Sequence, residues 1–261
     1  MITLNRRLQA VSAEFTLMDG DRVHPGPPGH FVAAFYFLQA QGVRGTVAIA
    51  HLDAATRDVR RAENCTVSDL TTTPQSVSFN YLADSLPFPV PTEAAHALEW
   101  VPFQTALSRV ELRIQGLSPG TYQLTINDRI IATFDAADLA RGINLAERSI
   151  PQLAQSRKAL VILQKRWWLL GRLSIVAIID SWVGRGLPRP ITLEAIEPAL
   201  ATWEAELAAP PDHLQRNQPA EYRKFKPIAA ELAAQASKLL AEARVAARLV
   251  AHRISLTFVI N

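Results

Sequence analysis

The hydrophobic period of this chain shifts from that of strands to that of helices near residue 136. Before it, Thr46–Ala50, Ser76–Asn80, Val110–Ile114 and Tyr122–Ile126 alternate apolar with polar residues, the period of half-buried strands. Arg129–Phe134 reads as a further strand after the turn Asn127-Asp128. Beyond it, Pro151–Trp182, Leu193–Ala208 and Tyr222–His252 read as helices, separated by Gly184–Pro190 and Pro210–Pro219. Strands followed by helices do not make βαβ units. The order predicts an α+β chain, with an antiparallel β-sandwich middle and a helical C-terminal region. Ile254–Ile260 alternates again, as an edge strand would, and Leu86–Pro91 is a proline-broken loop.

Trp167–Val183 is the longest apolar stretch, and it carries Arg172 and Asp180. Eight residues apart on a helix puts those charges within about 80° of each other, so they share one side. A largely buried amphipathic helix is expected, with Trp167 and Trp168 in its core; the less favoured alternative is a membrane-peripheral helix over residues 167–183.

Residues 1–45 read as a helix, the short strand Phe15–Met18, the polar turn Asp19–Gly29, and an apolar helix His30–Gln41 ended by Gly42. Asp21 stands three residues before His24 on that turn. Such spacing can place a carboxylate beside imidazole Nδ1 and leave Nε2 free to take a proton from a serine hydroxyl. The same spacing also suits a helix-capping turn, and the local residues leave both readings open.

Other candidates are weaker. His30 reads as a helix-face residue that steadies the loop. His51, His96, His213 and His252 have no partner pattern, and Cys65 reads as a buried or idle thiol. Gly116-Leu-Ser118-Pro-Gly120 satisfies the spacing of a nucleophile elbow, but it joins two strand-like segments and is expected to be a hairpin turn. The six histidines and one cysteine nowhere approach ligand spacing, so no metal or other cofactor is expected. Lys plus Arg number 27 against 24 Asp plus Glu and are scattered, so nucleic acid is not an expected partner. Residues 1–14 hold no apolar run of signal-peptide length, which leaves the cytoplasm as the default reading of compartment.

Asp21-x-x-His24-Pro25 followed by Gly29-His30 resembles the last conserved block of the SGNH (GDSL-type) ester hydrolases, where it supplies the triad's Asp and His. The run Asp21–Ala34, with Ala62–Asn64, Leu86–Val90 and Gly142–Ala146, is similar to a bacterial subgroup whose hydrolase domain precedes a β-rich and helical extension. The resemblance implies that residues 1–45 are the C-terminal piece of a flavodoxin-like α/β hydrolase domain. Residues 46–135 and 136–261 would then be the sandwich and helical parts. It further implies His24 as general base then acid, Asp21 as its orienter, and a small ester or acylated carbohydrate as substrate. The resemblance also implies a family whose full-length members include exported proteins.

In that family the serine of a Gly-Asp-Ser block, and the glycine and Gly-x-Asn-Asp oxyanion blocks, precede the Asp-His block. Here Gly20-Asp21 is followed by Arg22, and Asn127-Asp128 lacks the preceding glycine. The expectation is a truncated hydrolase without its nucleophile, inactive as this chain alone, with a partner chain able to supply the N-terminal part. The helix Phe31–Leu38 should then lack cover unless another chain or the helical zone caps it. The rival reading is a non-catalytic glycan- or protein-binding or structural protein that uses its β zone.

Overall fold

A computed structural model describes residues 1–73, 75–207 and 217–259. The chain divides into two compact units: Met1–Arg157 with Ala247–Asn261, and Lys158–Ala246. Residues 1–45 therefore share a unit with the β zone, and the chain's last strand returns to it.

The first unit holds β1 (Thr46–Asp53), β2 (Asp58–Glu63), β3 (Cys65–Thr73), β4 (Ser76–Ala83), β5 (Arg109–Gln115), β6 (Thr121–Ile126), β7 (Arg129–Asp135), β8 (Ile143–Asn144) and β9 (His252–Phe258). They form two sheets, ordered β2-β1-β5-β8 and β3-β4-β9-β6-β7. Alternation gives each sheet one apolar face. Ala48, Ala50, Leu52, Val110, Leu112 and Ile114 of the first share a core with Val77, Phe79, Tyr122, Leu124, Ile126, Ile254 and Leu256 of the second.

Three topological expectations are corrected. The sheets are not wholly antiparallel, because β1 and β5 run parallel. The chain between them carries β3 and β4 into the other sheet, and β5 then re-enters beside β1 in the same direction. The closing strand is not at an edge: β9 lies between β4 and β6, where Ile254 and Leu256 are buried. Gly116–Gly120 is not a hairpin turn, since it leads from β5 in one sheet to β6 in the other. Period two reveals a buried face but not which sheet owns it. The turn at Asn127-Asp128 does close a hairpin, β6–β7, with both residues left-handed at φ 49° and 63°.

The N-terminal segment contributes α1 (Ile2–Gln9) and α2 (Pro27–Ala40), while Phe15–Met18 forms only an isolated bridge, Met18 to Pro25. Residues 86–107 run through a 3-10 helix, Thr92–Glu99, into α3 (Phe103–Leu107). Val32 and Phe35 of α2 are buried with Leu4, Leu17, Ala97, Val101 and Phe103. The cover expected from another chain or from the helical zone comes instead from this β-zone stretch. Only the far side of α2 stays open, with Phe37 65% exposed. After β7, α4 (Ala136–Arg141) packs against β5.

A long helix, α5 (Pro151–Trp182), opens the helical region; α6 (Leu193–Leu207), α7 (Gln218–Phe225) and α8 (Ala229–Ala246) follow. The expected single helix Tyr222–His252 is two, because Pro227 has no N–H to continue the ladder, and His252 begins β9. Leu169, Val176, Ile179, Ile196, Leu200, Tyr222 and Phe225 form the second unit's core. Arg172 and Asp180 do point the same way: Arg172 pairs with Glu221 (3.4 Å), and Asp180 holds Lys226 (2.6 Å) and the Tyr222 hydroxyl (2.6 Å). The tryptophans do not enter the core. Trp167 and Trp168 are each 54% exposed, while Leu169, turned inward, is 5% exposed. Among the described residues no helix is long and apolar enough to cross a membrane.

Candidate active site

The turn before α2 is held by its own backbone. The Asp19 N–H donates to the His24 carbonyl (2.7 Å), and the Arg22 N–H donates to the Asp19 carbonyl (2.8 Å). Arg22 takes a left-handed φ of 58°, and its guanidinium reaches Glu14 (3.3 Å). Gly26 then leads into Pro27 and Pro28, which start the helix with a preset φ. Gly29 lets this helix press onto the backbone at Leu17, and the Asn5 side chain accepts the Leu17 N–H (3.2 Å).

Asp21 uses both carboxylate oxygens. Oδ1 accepts the N–H groups of Val23 and His24 (2.9 Å each), and Oδ2 lies 2.6 Å from His24 Nδ1. The His24 side-chain bond, followed by the two backbone donors, holds the Asp21 carboxyl at about 2, below its ordinary 3.8. A carboxylate only accepts, so the ring proton sits on Nδ1 and the Nε2 lone pair is left as a base. That nitrogen has no hydrogen-bond partner among the described residues, and both side chains are exposed. The turn thus presents an exposed carboxylate–imidazole pair whose second ring nitrogen faces solvent.

The other candidates lie elsewhere. His30 is exposed on α2 and takes no part in the Asp21–His24 pair. Among the described residues His96 pairs with Glu99 (3.4 Å) on the surface; His213 lies outside the described residues. His252 is buried, its Nδ1 2.9 Å from Asn127 Nδ2. The half-buried Cys65 thiol donates to the Ile49 carbonyl (3.2 Å), and burial pushes its pKa up, the reverse of an activated nucleophile. Ser118 lies in a loop between strands, with no helix after it.

One pair escaped the sequence reading. His51 Nε2 lies 2.6 Å from Glu111 Oε1, on the parallel neighbours β1 and β5. Sixty residues separate them, and only the unanticipated parallel pairing brings them together. Arg109 shares the same carboxylate at 3.4 Å, so the cluster reads as a charge network on the sheet face. Asn144, of the Gly142–Ala146 motif, is a structural knot: it accepts the N–H groups of Val110 (3.0 Å) and Ala146 (3.1 Å) and donates to the Gln104 carbonyl (3.1 Å). Among the described residues no group of three or more His, Cys, Asp or Glu could hold a metal ion.

No protein-family model matches this chain, and no curated protein does. It is similar to a solved structure described as a gut microbial diltiazem-metabolizing enzyme, at 31% sequence identity and a TM-score of 0.83. The match covers 99% of this chain and 60% of that one, so the chain spans about three fifths of its neighbour's length.

Proposed function

We propose that this chain is the base-and-orienter portion of a serine ester hydrolase of the SGNH type. The observation that carries the reading is the 2.6 Å contact between His24 Nδ1 and a carboxylate that stays ionised, with Nε2 open. The likeness to a drug-metabolizing enzyme supports a catalytic role.

In this mechanism His24 Nε2 takes the proton of a serine hydroxyl while the serine oxygen adds to the ester carbonyl. The imidazolium returns that proton to the departing alcohol oxygen. A water molecule then repeats the cycle on the acyl-enzyme and releases the acid. Asp21 keeps the ring in the Nδ1–H tautomer and stabilises the imidazolium. The reading assigns the serine and the oxyanion donors to polypeptide other than these 261 residues, and favours a small acyl group, on carbohydrate or a compact alcohol, as substrate.

The test is hydrolysis of p-nitrophenyl acetate. The chain alone should turn over no faster than its His24→Ala variant. Adding a polypeptide encoded upstream that bears a Gly-Asp-Ser block should give turnover that His24→Ala abolishes. Turnover by the chain alone that requires His24 would place the nucleophile within this chain and overturn the assignment.

A further inference from the structure

We propose that the cleft between α5 and α6 binds a small organic cation, an ammonium group carried on an apolar body. Ile179, Trp182 and Val183 share one side of α5, and Ala199, Trp203 and Glu206 share one side of α6, each set at helical spacing. They line a cavity of about 560 Å³, within the range of small-molecule sites. Ile179 is buried and, with the partly buried Val183 and Trp203, belongs to the core of the helical unit, so packing fixes the floor. Trp182, by contrast, is 72% exposed. Each helix thus brings one indole to an apolar hollow that the fold itself leaves open.

The polar groups of the lining select the ligand. They are the Glu206 carboxylate, the Thr202 hydroxyl and the Gln218 amide, and among the described residues no Lys or Arg lines the cleft. Thr202 donates its proton to the Pro198 carbonyl (3.0 Å), which leaves its oxygen as an acceptor. Glu197 and Glu204, on the same helix, both pair with Arg223, at 2.7 and 2.8 Å. Glu206 makes no ion pair among the described residues. Arg185 lines a separate depression, with Ser181 and Trp182. A carboxylate without a countercharge beside two indoles offers a cation both Coulomb attraction and cation–π contact. An anion would be repelled, and a neutral apolar molecule would gain nothing from Glu206.

The probe is benzyltrimethylammonium, whose charge does not titrate, read in the full chain by the indole N–H resonances of its five tryptophans. Those of Trp182 and Trp203 should shift saturably, half-way at about 1 mM for a ligand of this size, while Trp100, Trp167 and Trp168 stay in place. Phenylmethanesulfonate and benzyl alcohol, its anionic and neutral counterparts, should bind more weakly by about threefold or more. Glu206→Gln should weaken the ammonium about threefold to fivefold. Trp182→Leu should weaken it about fivefold. Both side chains are exposed, so helical circular dichroism should be unchanged. Trp182 and Trp203 resonances unmoved at about 10 mM probe would overturn the proposal. So would equal affinity for the sulfonate, or full affinity of the ammonium for Glu206→Gln, either of which would leave the carboxylate no part in choosing the ligand.

Discussion

Gly29 sits so close to the Leu17 carbonyl that a Cβ built on it would stand 1.9 Å from the oxygen. The contact is backbone to backbone, so no side chain can swing away to relieve it. This approach seats α2 on the Leu17 segment, and the Asp21–His24 turn is the connection between the two.

Gly29→Ala should therefore push α2 off its seat and cost about 3 kcal/mol, at the upper end of overpacking penalties. Gly20→Ala, where an added Cβ meets nothing within 4 Å, is the control and should change little. Urea denaturation with hydrogen exchange across residues 15–42 checks both. Unchanged protection in Gly29→Ala would mean that the helix seat is not what holds the turn.

Asp21→Asn tests the orienter. The amide can still accept the two backbone N–H groups, but its NH₂ would face Nδ1 and favour the tautomer with the proton on Nε2. In the completed hydrolase this should lower turnover by about three to four orders of magnitude without unfolding the chain. The His24 ring ¹⁵N shifts should report the exchanged tautomer.

The pH behaviour of the turn follows from the same carboxyl. Its folded pKa of about 2 lies below the ordinary 3.8, so its contribution to turn order is complete above roughly pH 4 and is lost as pH falls towards 2. Carboxyl chemical shifts should show a midpoint near 2 for Asp21, and Val23 and His24 amide protection should fade over the same window. An Asp21 midpoint near 4 would dissolve the pairing.

Much of this was legible in the sequence, for physical reasons. The three-residue spacing of Asp21 and His24 is local, so turn geometry alone brings them together. α5 has the bounds its periodicity predicts, and Asn127-Asp128 adopts the left-handed pair that a two-residue hairpin needs. What the residues do not encode locally was missed. β2 and β3 bury no side chain fully, and the alternation of Cys65, Val67 and Leu70 in β3 falls out of step at its register shift, so neither strand announces itself. The central place of β9 and the parallel β1–β5 pair are decided by strands far apart in the chain, and the His51–Glu111 pair went unseen with them. Trp167 and Trp168 were misplaced because composition records how apolar a helix is, not which sides find a partner.

Asp180 is the polar pin of the helical unit. It is mostly buried, accepts from the Tyr222 hydroxyl and the Lys226 ammonium, and with burial raises the Tyr222 pKa. Asp180→Asn would leave that ammonium half-buried without a countercharge, at a cost of about 2–4 kcal/mol. Asp180→Leu combined with Lys226→Met should recover part of the loss, since it removes both charges together while the buried Tyr222 hydroxyl loses its acceptor. Equal destabilisation in single and double variants would show that packing, not the ion pair, is at stake.

His252 should make the first unit weaken in acid. The Asn127 carbonyl oxygen accepts the Arg253 N–H at 2.8 Å, which fixes the amide and turns its NH₂ towards His252 Nδ1 at 2.9 Å. Nδ1 must then be an acceptor, and the proton sits on the buried Nε2, which has no partner among the described residues. Protonation would put a second donor against the amide NH₂ and a charge in a buried site. Burial accordingly lowers the His252 pKa from its ordinary 6.5. The unfolded chain takes up the proton more readily, so stability is complete above about pH 6.5 and declines as pH drops through the folded value beneath it. Urea midpoints at about pH 7.5 and pH 5.5 should differ in the parent chain, and the difference should shrink in His252→Leu. Leucine at 252 leaves the Asn127 amide short of an acceptor, so the variant should also start about 1 kcal/mol less stable at neutral pH. A pH dependence that survives the substitution unchanged would place the acid-sensitive group elsewhere in the unit.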